Sequence, residues 1–481
     1  MNDLRRRIVV LLVLLALALA ACGGGEQEPA AEQPEAQTTE MPAEEMEPTE
    51  AVMEEPMAEA TEMMDEPTTE ATEMAMDEPT AEATEMTMEE PTVEATEAAM
   101  EDGDMAAMDP LMLDGTAAGL RVALNRLLGE HVSLAASATN AALDGRTPDY
   151  EAAAAALDEN SVDLTSAITA VYGEEAGASF LEQWREHIGF FVDYTVATAA
   201  GDSDSQQAAM DDLTSYTTSF AEFLAGATEL PAGVLEENLQ MHVMGLIAVI
   251  DAQAAGDEAT HYTALREAYG HMASTAEALS GAIAGQQADM FMGDGMSSAA
   301  GLRVALNSLL GEHLFLAAAA TDEALNGNTP GFEAAAAALD ENSVALADAI
   351  TSVYGEDAGA AFLDQWRAHI GFVVDYTVAT AGGDEDGKAA AAEDLAGYIT
   401  DFAAFLAGAT GLPADALEAG LQEHVMGLAM VVDAQAAEDA PEAYGQLRLA
   451  YAHMQSLGDA LSSAIAGQFP EMFPMEGMAE G

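Results

Sequence analysis

The sequence predicts an all-α protein: two tandem up-and-down helical bundles behind a disordered stalk. Three observations carry this. A stretch of about one domain's length is written twice; apolar residues recur at helical spacing; and no alternating strand pattern interrupts them. Ala117-Ala118-Gly119-Leu120-Arg121 returns as Ala299-Ala300-Gly301-Leu302-Arg303, Gly129-Glu130-His131 as Gly311-Glu312-His313, and Trp184-Arg185 as Trp366-Arg367, always 182 residues later and without insertion or deletion. The boundaries read as repeat 1 over 109–291, repeat 2 over 292–473 and a short tail over 474–481.

Within repeat 1, Leu120, Leu124, Leu127, His131, Leu134 and Ala138 share one helix face. Phe180, Trp184, His187, Phe191 and Tyr194 do the same, as do Leu235, Leu239, His242, Leu246 and Val249. Breaks fall at Asp144-Gly145-Arg146-Thr147-Pro148, Tyr172-Gly173, Gly201-Asp202, Leu230-Pro231 and Gly256-Asp257. Thr147 reads as an N-cap with proline at the first helical position. The spacing therefore predicts six helices, near 117–143, 148–171, 175–200, 204–226, 231–255 and 259–286. Short connections make sequential helices antiparallel, so each copy is three hairpins.

A finer regularity sits inside the hairpins. His131, His187 and His242 are 56 and 55 residues apart, and 29 residues beyond each stand Asn160, Tyr216 and His271. Each marked residue is roughly 12 residues into its helix, about 18 Å along it at 1.5 Å per residue. All six are expected at mid-height, in one polar layer. Repeat 2 carries His313, Asn342, His369, Tyr398, His424 and His453 at the matching places. The ninth histidine, His261, matches Ala443 and is expected at the surface.

Several imidazoles at one height in an apolar core are costly unless they bond one another or share a ligand. Neutral imidazole is the commonest metal ligand, and bundle cores build metal sites from facing helices. The candidate ligands are thus His131, His187, His242 and His271, with His313, His369, His424 and His453. Asn160, Tyr216, Asn342 and Tyr398 are candidate supporting residues. A di-iron carboxylate centre would need Glu three residues before a histidine, where Leu128, Trp184, Leu239 and Ala268 stand. No His-Glu-x-x-His, Cys-x-x-Cys or heme-attachment motif occurs. One imidazole from each of four helices suits copper, then zinc or iron, and two of them suit axial ligation of a b-type heme. The alternative is a structural layer bonded to Asn160, Tyr216 and water. Glu130 and Glu312 are turned about 100° from their histidines, which places them at the surface or at most behind the ligands. Arg121, Arg185 and Arg266, with their copies, read as ion-pairing residues of an acidic surface. Tyr194 has a hydroxyl that could approach the layer.

The chain has 86 acidic against 12 basic residues, a net charge of −74. Such a balance excludes nucleic acid and anionic surfaces as partners, both of which need a basic face. The single cysteine excludes an internal disulfide. It stands where Arg5-Arg6-Arg7 and an apolar run from Ile8 lead to Leu19-Ala20-Ala21-Cys22. That segment resembles the lipobox of bacterial lipoproteins, in which the chain is cut before a diacylglycerol-bearing cysteine. The resemblance implies a signal peptide over 1–21, lipidation of Cys22, and a chain held by its acyl chains on the extracytoplasmic side of the cell membrane.

From 22 to 108 the chain is mostly Glu, Pro, Thr, Ala and Met, with almost no aliphatic or aromatic residues. Met64-Asp65-Glu66-Pro67-Thr68 recurs from Met76 and, with one change, from Met88. With no apolar face to bury, this stretch is expected to be a disordered spacer. Its paired methionines, Met74 with Met76 and Met86 with Met88, offer soft thioethers of the kind that suit Cu(I), or are simply letters of an expanded repeat. Three functions remain open: metal binding for storage, sensing or transfer; a structural or protein-interaction module without metal; and a redox enzyme. No nucleophile with its base and no substrate pocket can be read, which favours a non-enzyme.

Overall fold

In the computed structural model, residues 114–474 are described. Residues 1–113, which carry the expected signal peptide, Cys22 and the expected stalk, and residues 475–481 lie outside them. The described chain is all-α, with twelve helices. Repeat 1 comprises α1 (Ala117–Leu143), α2 (Thr147–Tyr172), α3 (Glu174–Ala200), α4 (Ser203–Thr228), α5 (Ala232–Ala255) and α6 (Glu258–Gln286). Repeat 2 comprises α7 (Ser298–Asn326), α8 (Thr329–Tyr354), α9 (Glu356–Gly382), α10 (Glu385–Thr410), α11 (Ala414–Ala436) and α12 (Ala440–Gln468).

The helix ends follow local chemistry. Asp202 and Asp257 accept from backbone N–H groups three residues on and cap α4 and α6. Gly201 and Gly256 close α3 and α5 in the left-handed region, φ +65° and +64°, where a Cβ would be strained. At α2 the helix starts one residue earlier than expected: Thr147 is already helical and Arg146 precedes it without a side-chain cap.

Six helices in each repeat close into a ring, every helix packing on its neighbours in sequence and α6 returning to α1. The first helices of the three hairpins, α1, α3 and α5, also touch one another. Short turns make them parallel, so they form an inner triangle with α2, α4 and α6 in the outer grooves. The stripes expected from the sequence face this triangle: Leu124, Leu128, Phe180, Trp184, Leu235 and Leu239 are all buried. Repeat 2 is built in the same way.

The repeats pack against each other through α1 on α7, α2 on α12 and α6 on α8. Because α6 and α12 are equivalent, as are α2 and α8, this is the pattern of a two-fold interface between like subunits. A backbone clasp, Ala117 N–H to the Met292 carbonyl and Met292 N–H to that of Gly115, both at 2.9 Å, ties the start of repeat 1 to its end. One apolar cluster runs from Leu134 and Leu246 through to Leu314 and Leu428. Helix α7 is apolar and long enough to cross a membrane, but 78% of that stretch is buried in the protein. It is covered by its own bundle and by α1.

The interface corrects three surface assignments. Glu130 is 1% exposed and Glu312 8%, because the side of α1 and α7 turned away from the histidines is buried against the other repeat. Arg448 reaches across to Glu130 at 2.9 Å, Glu159 at 2.6 Å and Asp163 at 2.6 Å, and Arg266 reaches Glu312 at 3.0 Å and Glu341 at 2.6 Å. These two arginines therefore join the repeats. His261 is also buried, with Nε2 3.1 Å from Gln253 Nε2 and Nδ1 3.5 Å from Glu258. Arg146 also crosses, to Asp322 at 3.3 Å, and Arg126 stands 4.0 Å from Glu130, whereas Arg185 with Asp158 and Arg367 with Asp340 pair on the surface, each at 2.6 Å.

Candidate metal centre

The inner triangle brings three histidines of each repeat together. His131 from α1, His187 from α3 and His242 from α5 each bring one ring nitrogen within 4.8 Å of the other two. Ring centroids are separated by 5.4, 5.7 and 6.3 Å. His313, His369 and His424 repeat the arrangement at 5.3, 5.9 and 6.3 Å, and there the Nε2 atoms of His313 and His369 approach to 3.4 Å. The heptad-like stripe explains the convergence. Residues three before each histidine (Leu128, Trp184, Leu239) and four after it (Ala135, Phe191, Leu246) face the same way, so the imidazoles form one layer between two apolar ones.

The fourth candidate of each repeat does not join. His271 lies on α6 in the outer ring, half-buried, and its Nε2 donates to the Asn238 carbonyl at 3.0 Å. His453 donates likewise to the Gly420 carbonyl at 2.8 Å, with Nδ1 3.3 Å from Glu423.

The supporting candidates divide. Tyr216 stacks on His187 at 5.0 Å and Tyr398 on His369 at 5.1 Å. Asn160 does not bond to a histidine; it donates to Glu130 at 2.8 Å and to the Leu127 carbonyl at 3.0 Å, and Asn342 donates to Glu312 at 2.6 Å and to the Leu309 carbonyl at 3.0 Å. The Asn therefore holds the glutamate that receives the arginine from the other repeat. Tyr194 is directed elsewhere, its hydroxyl donating to Asp251 at 3.0 Å. Trp184 packs on His131 and His187 at 4.8 and 4.6 Å and forms a wall of the site.

Burial sets the electrostatics. It pushes the His131 imidazole well below its ordinary pKa, and mutual repulsion with His187 and His242 adds to the shift. His187 is lowered by burial and by His242, with the Trp184 and Gln183 carbonyls opposing. His242 and His424 fall to about 4 and His369 to about 3, burial being the largest cause in each. His313 falls well below the ordinary value for the same reason. Six neutral imidazoles thus offer lone pairs at pH 7.

In repeat 1 none of the ring nitrogens of the three buried histidines makes a well-formed hydrogen bond in the protein, the Trp184 and Gln183 carbonyls near His187 being poorly aligned for one; nor do Trp184 Nε1 and the Tyr216 hydroxyl. Interior polar groups are nearly always bonded. The donor set fits a transition metal: ligands at 2.0–2.1 Å stand about 3.3–3.5 Å apart in tetrahedral or trigonal coordination, and the His313–His369 pair is already at 3.4 Å. No carboxylate belongs to either cluster. No family model matches the chain, and neither a curated protein nor a solved structure does.

Proposed function

We propose that each histidine cluster holds one transition-metal ion, copper first, and that the protein stores, senses or hands on the metal. The observation that carries this is the convergence of one nitrogen from each of three buried imidazoles within 4.8 Å in each repeat, with no other protein group to satisfy them in repeat 1 and only the His313–His369 contact in repeat 2. Copper is favoured by charge. Three neutral ligands in an apolar layer leave an ion's charge uncompensated, and the cost of burying charge rises steeply with its magnitude. Monovalent Cu(I) suits such a site better than Zn(II), which would draw in a fourth ligand. The N-terminal segment supports placing these bundles outside the cytoplasm, anchored through lipidated Cys22 on the stalk.

Metal analysis of the full chain after separate exposure to Cu(I), Zn(II) and Fe(II) tests the reading. The expected result is close to two equivalents of copper per chain. A variant carrying His131→Ala, His187→Ala, His313→Ala and His369→Ala should hold none. A folded wild-type chain that retains no metal would overturn the proposal. For the anchor, Cys22→Ser should move the protein from the membrane fraction to the soluble one.

A further inference from the structure

The two repeats differ beside their histidine layers. In repeat 1 a cavity of about 420 Å³ lies on the Trp184 side of the layer, whereas its counterpart in repeat 2 measures about 50 Å³. Much of the wall is common to both, Phe180 and Trp184 in one matching Phe362 and Trp366 in the other. Two positions on the wall differ between the repeats. Repeat 1 has Asn238 and Thr275, whose side chains bond to each other at 2.8 Å along the wall. Repeat 2 has Gly420 and Leu457, and the leucine takes the space: a Cβ on Gly420 would lie 2.8 Å from its Cδ1. A glycine opposite gives the Leu457 side chain room in its present rotamer.

The open cavity is mostly apolar; Asn238 and Thr275 on its wall are bonded to each other, and the unpartnered polar groups gather at the end that meets the layer. There Trp184, Tyr216, His187 and His242 line it, and the Trp184 N–H, the Tyr216 hydroxyl and the four ring nitrogens are buried without protein partners. A chamber of a few hundred Å³ with apolar walls and a few convergent polar groups is the form of a small-molecule site, and a void less than half this size suffices for a single aromatic ring. We infer that repeat 1 binds a small, mostly apolar molecule of about bicyclic size in this chamber, with one hydrogen-bond-accepting end turned to Trp184 and Tyr216, and that repeat 2 does not.

The inference does not depend on a bound metal, so its test uses the metal-free full chain and calorimetric titration with 2-acetylnaphthalene, whose carbonyl is the acceptor. One equivalent should bind, at least tenfold more tightly than naphthalene. Importing the filler, Thr275→Leu with Asn238→Gly, should weaken binding at least tenfold. Opening the other chamber, Leu457→Thr with Gly420→Asn, should add a second equivalent, and this variant decides the matter if the first does not fold. No binding, two equivalents in the unaltered chain, or indifference to both exchanges would overturn the assignment. Indifference would place the probe in the separate cavity of about 350 Å³ across the layer, beside Phe191 and Thr195.

Discussion

The Tyr269 hydroxyl stands 3.2 Å from that of Tyr451, the same residue one repeat later. Equivalent atoms meet beside a rotation axis, and the reciprocal packing of α2 on α12 and α6 on α8 makes it a two-fold one, so the repeats are related as the halves of an isologous dimer. Tyr451 donates to the Arg126 carbonyl at 3.0 Å, and Tyr269 lies 3.2 Å from the Ser308 carbonyl at the matching place. The Gly-Glu-His triplet is organised around this axis. Its glycine lets a tyrosine ring approach, its glutamate takes an arginine from the other repeat, and its histidine turns inward to the layer.

The arginine crossings should govern how the repeats adhere. Arg448→Met leaves buried Glu130 with only Asn160 and the more distant Arg126, 4.0 Å away on its own helix, and removing one partner of a buried pair costs about 3–5 kcal/mol. Arg448 is 16% exposed, so the lower end, about 3 kcal/mol, is expected. Adding Glu130→Gln should recover most of the loss. Urea denaturation of the single and double variants measures this; equal stability of Arg448→Met and the parent would mean that solvent already reaches Glu130.

The metal-free protein should lose stability as pH falls from 6.5 towards 4. The histidines of each layer have folded pKa values below the ordinary 6.5, with His242 and His424 at about 4. In that window the unfolded chain binds protons that the folded chain does not, so acid favours unfolding, by about 1.4 kcal/mol per pH unit for each histidine. Glu323 acts in the opposite sense. Burial raises its carboxyl to about 7, so it is protonated in the folded state first and offsets about one histidine between pH 7 and 4.5. Thermal midpoints across this range should fall steeply in the parent and less so after His187→Leu with His369→Leu. A flat parent profile would sink the claim that the layers are dry.

Helix number and ends were legible because Gly, Pro and Asp mark each break by local stereochemistry, independent of packing. The layer was legible because a histidine repeating every 55 or 56 residues must return to one height. Inner and outer helices were not separable in this way. His242 and His271 stand at the same height on helices of similar composition, and only the triangular packing puts the first among imidazoles and the second against a backbone carbonyl. Glu130 was misplaced for a related reason. A helix covered on two sides has no solvent face, and nothing local in Gly129-Glu130-His131 distinguishes a second protein surface from water.

This difference between His242 and His271 yields its own expectation. His271→Ala removes one bond to the Asn238 carbonyl and leaves the cluster intact, so the chain should keep its full complement of metal. His242→Ala removes a ligand and should halve it. Metal content after dialysis against a weak chelator separates the two. Equal losses would mean that α6 contributes a ligand when the ion is bound.

The close approach at the axis predicts opposite outcomes for the same substitution at two glycines. In a helix interior alanine is favoured over glycine by about 1 kcal/mol where nothing is in the way. Gly189 lies within α3 with open space around the position of a Cβ, so Gly189→Ala should stabilise by about that amount. Gly311 lies within α7, and a Cβ there would come 2.5 Å from Tyr451 Cε2 and 2.9 Å from the Tyr269 hydroxyl oxygen. Both rings are buried and held by bonds to backbone carbonyls, so neither can swing aside without unpairing its hydroxyl. Overpacking of this kind costs about 1–3 kcal/mol, which outweighs the gain in helix propensity. Gly311→Ala should therefore destabilise the chain and loosen the contact between repeats, seen as faster amide exchange along α1 and α7 than along α3 and α9. Stabilisation at both glycines would show that the tyrosines can move, and that the axis is a soft contact that does not fix the pairing of the repeats.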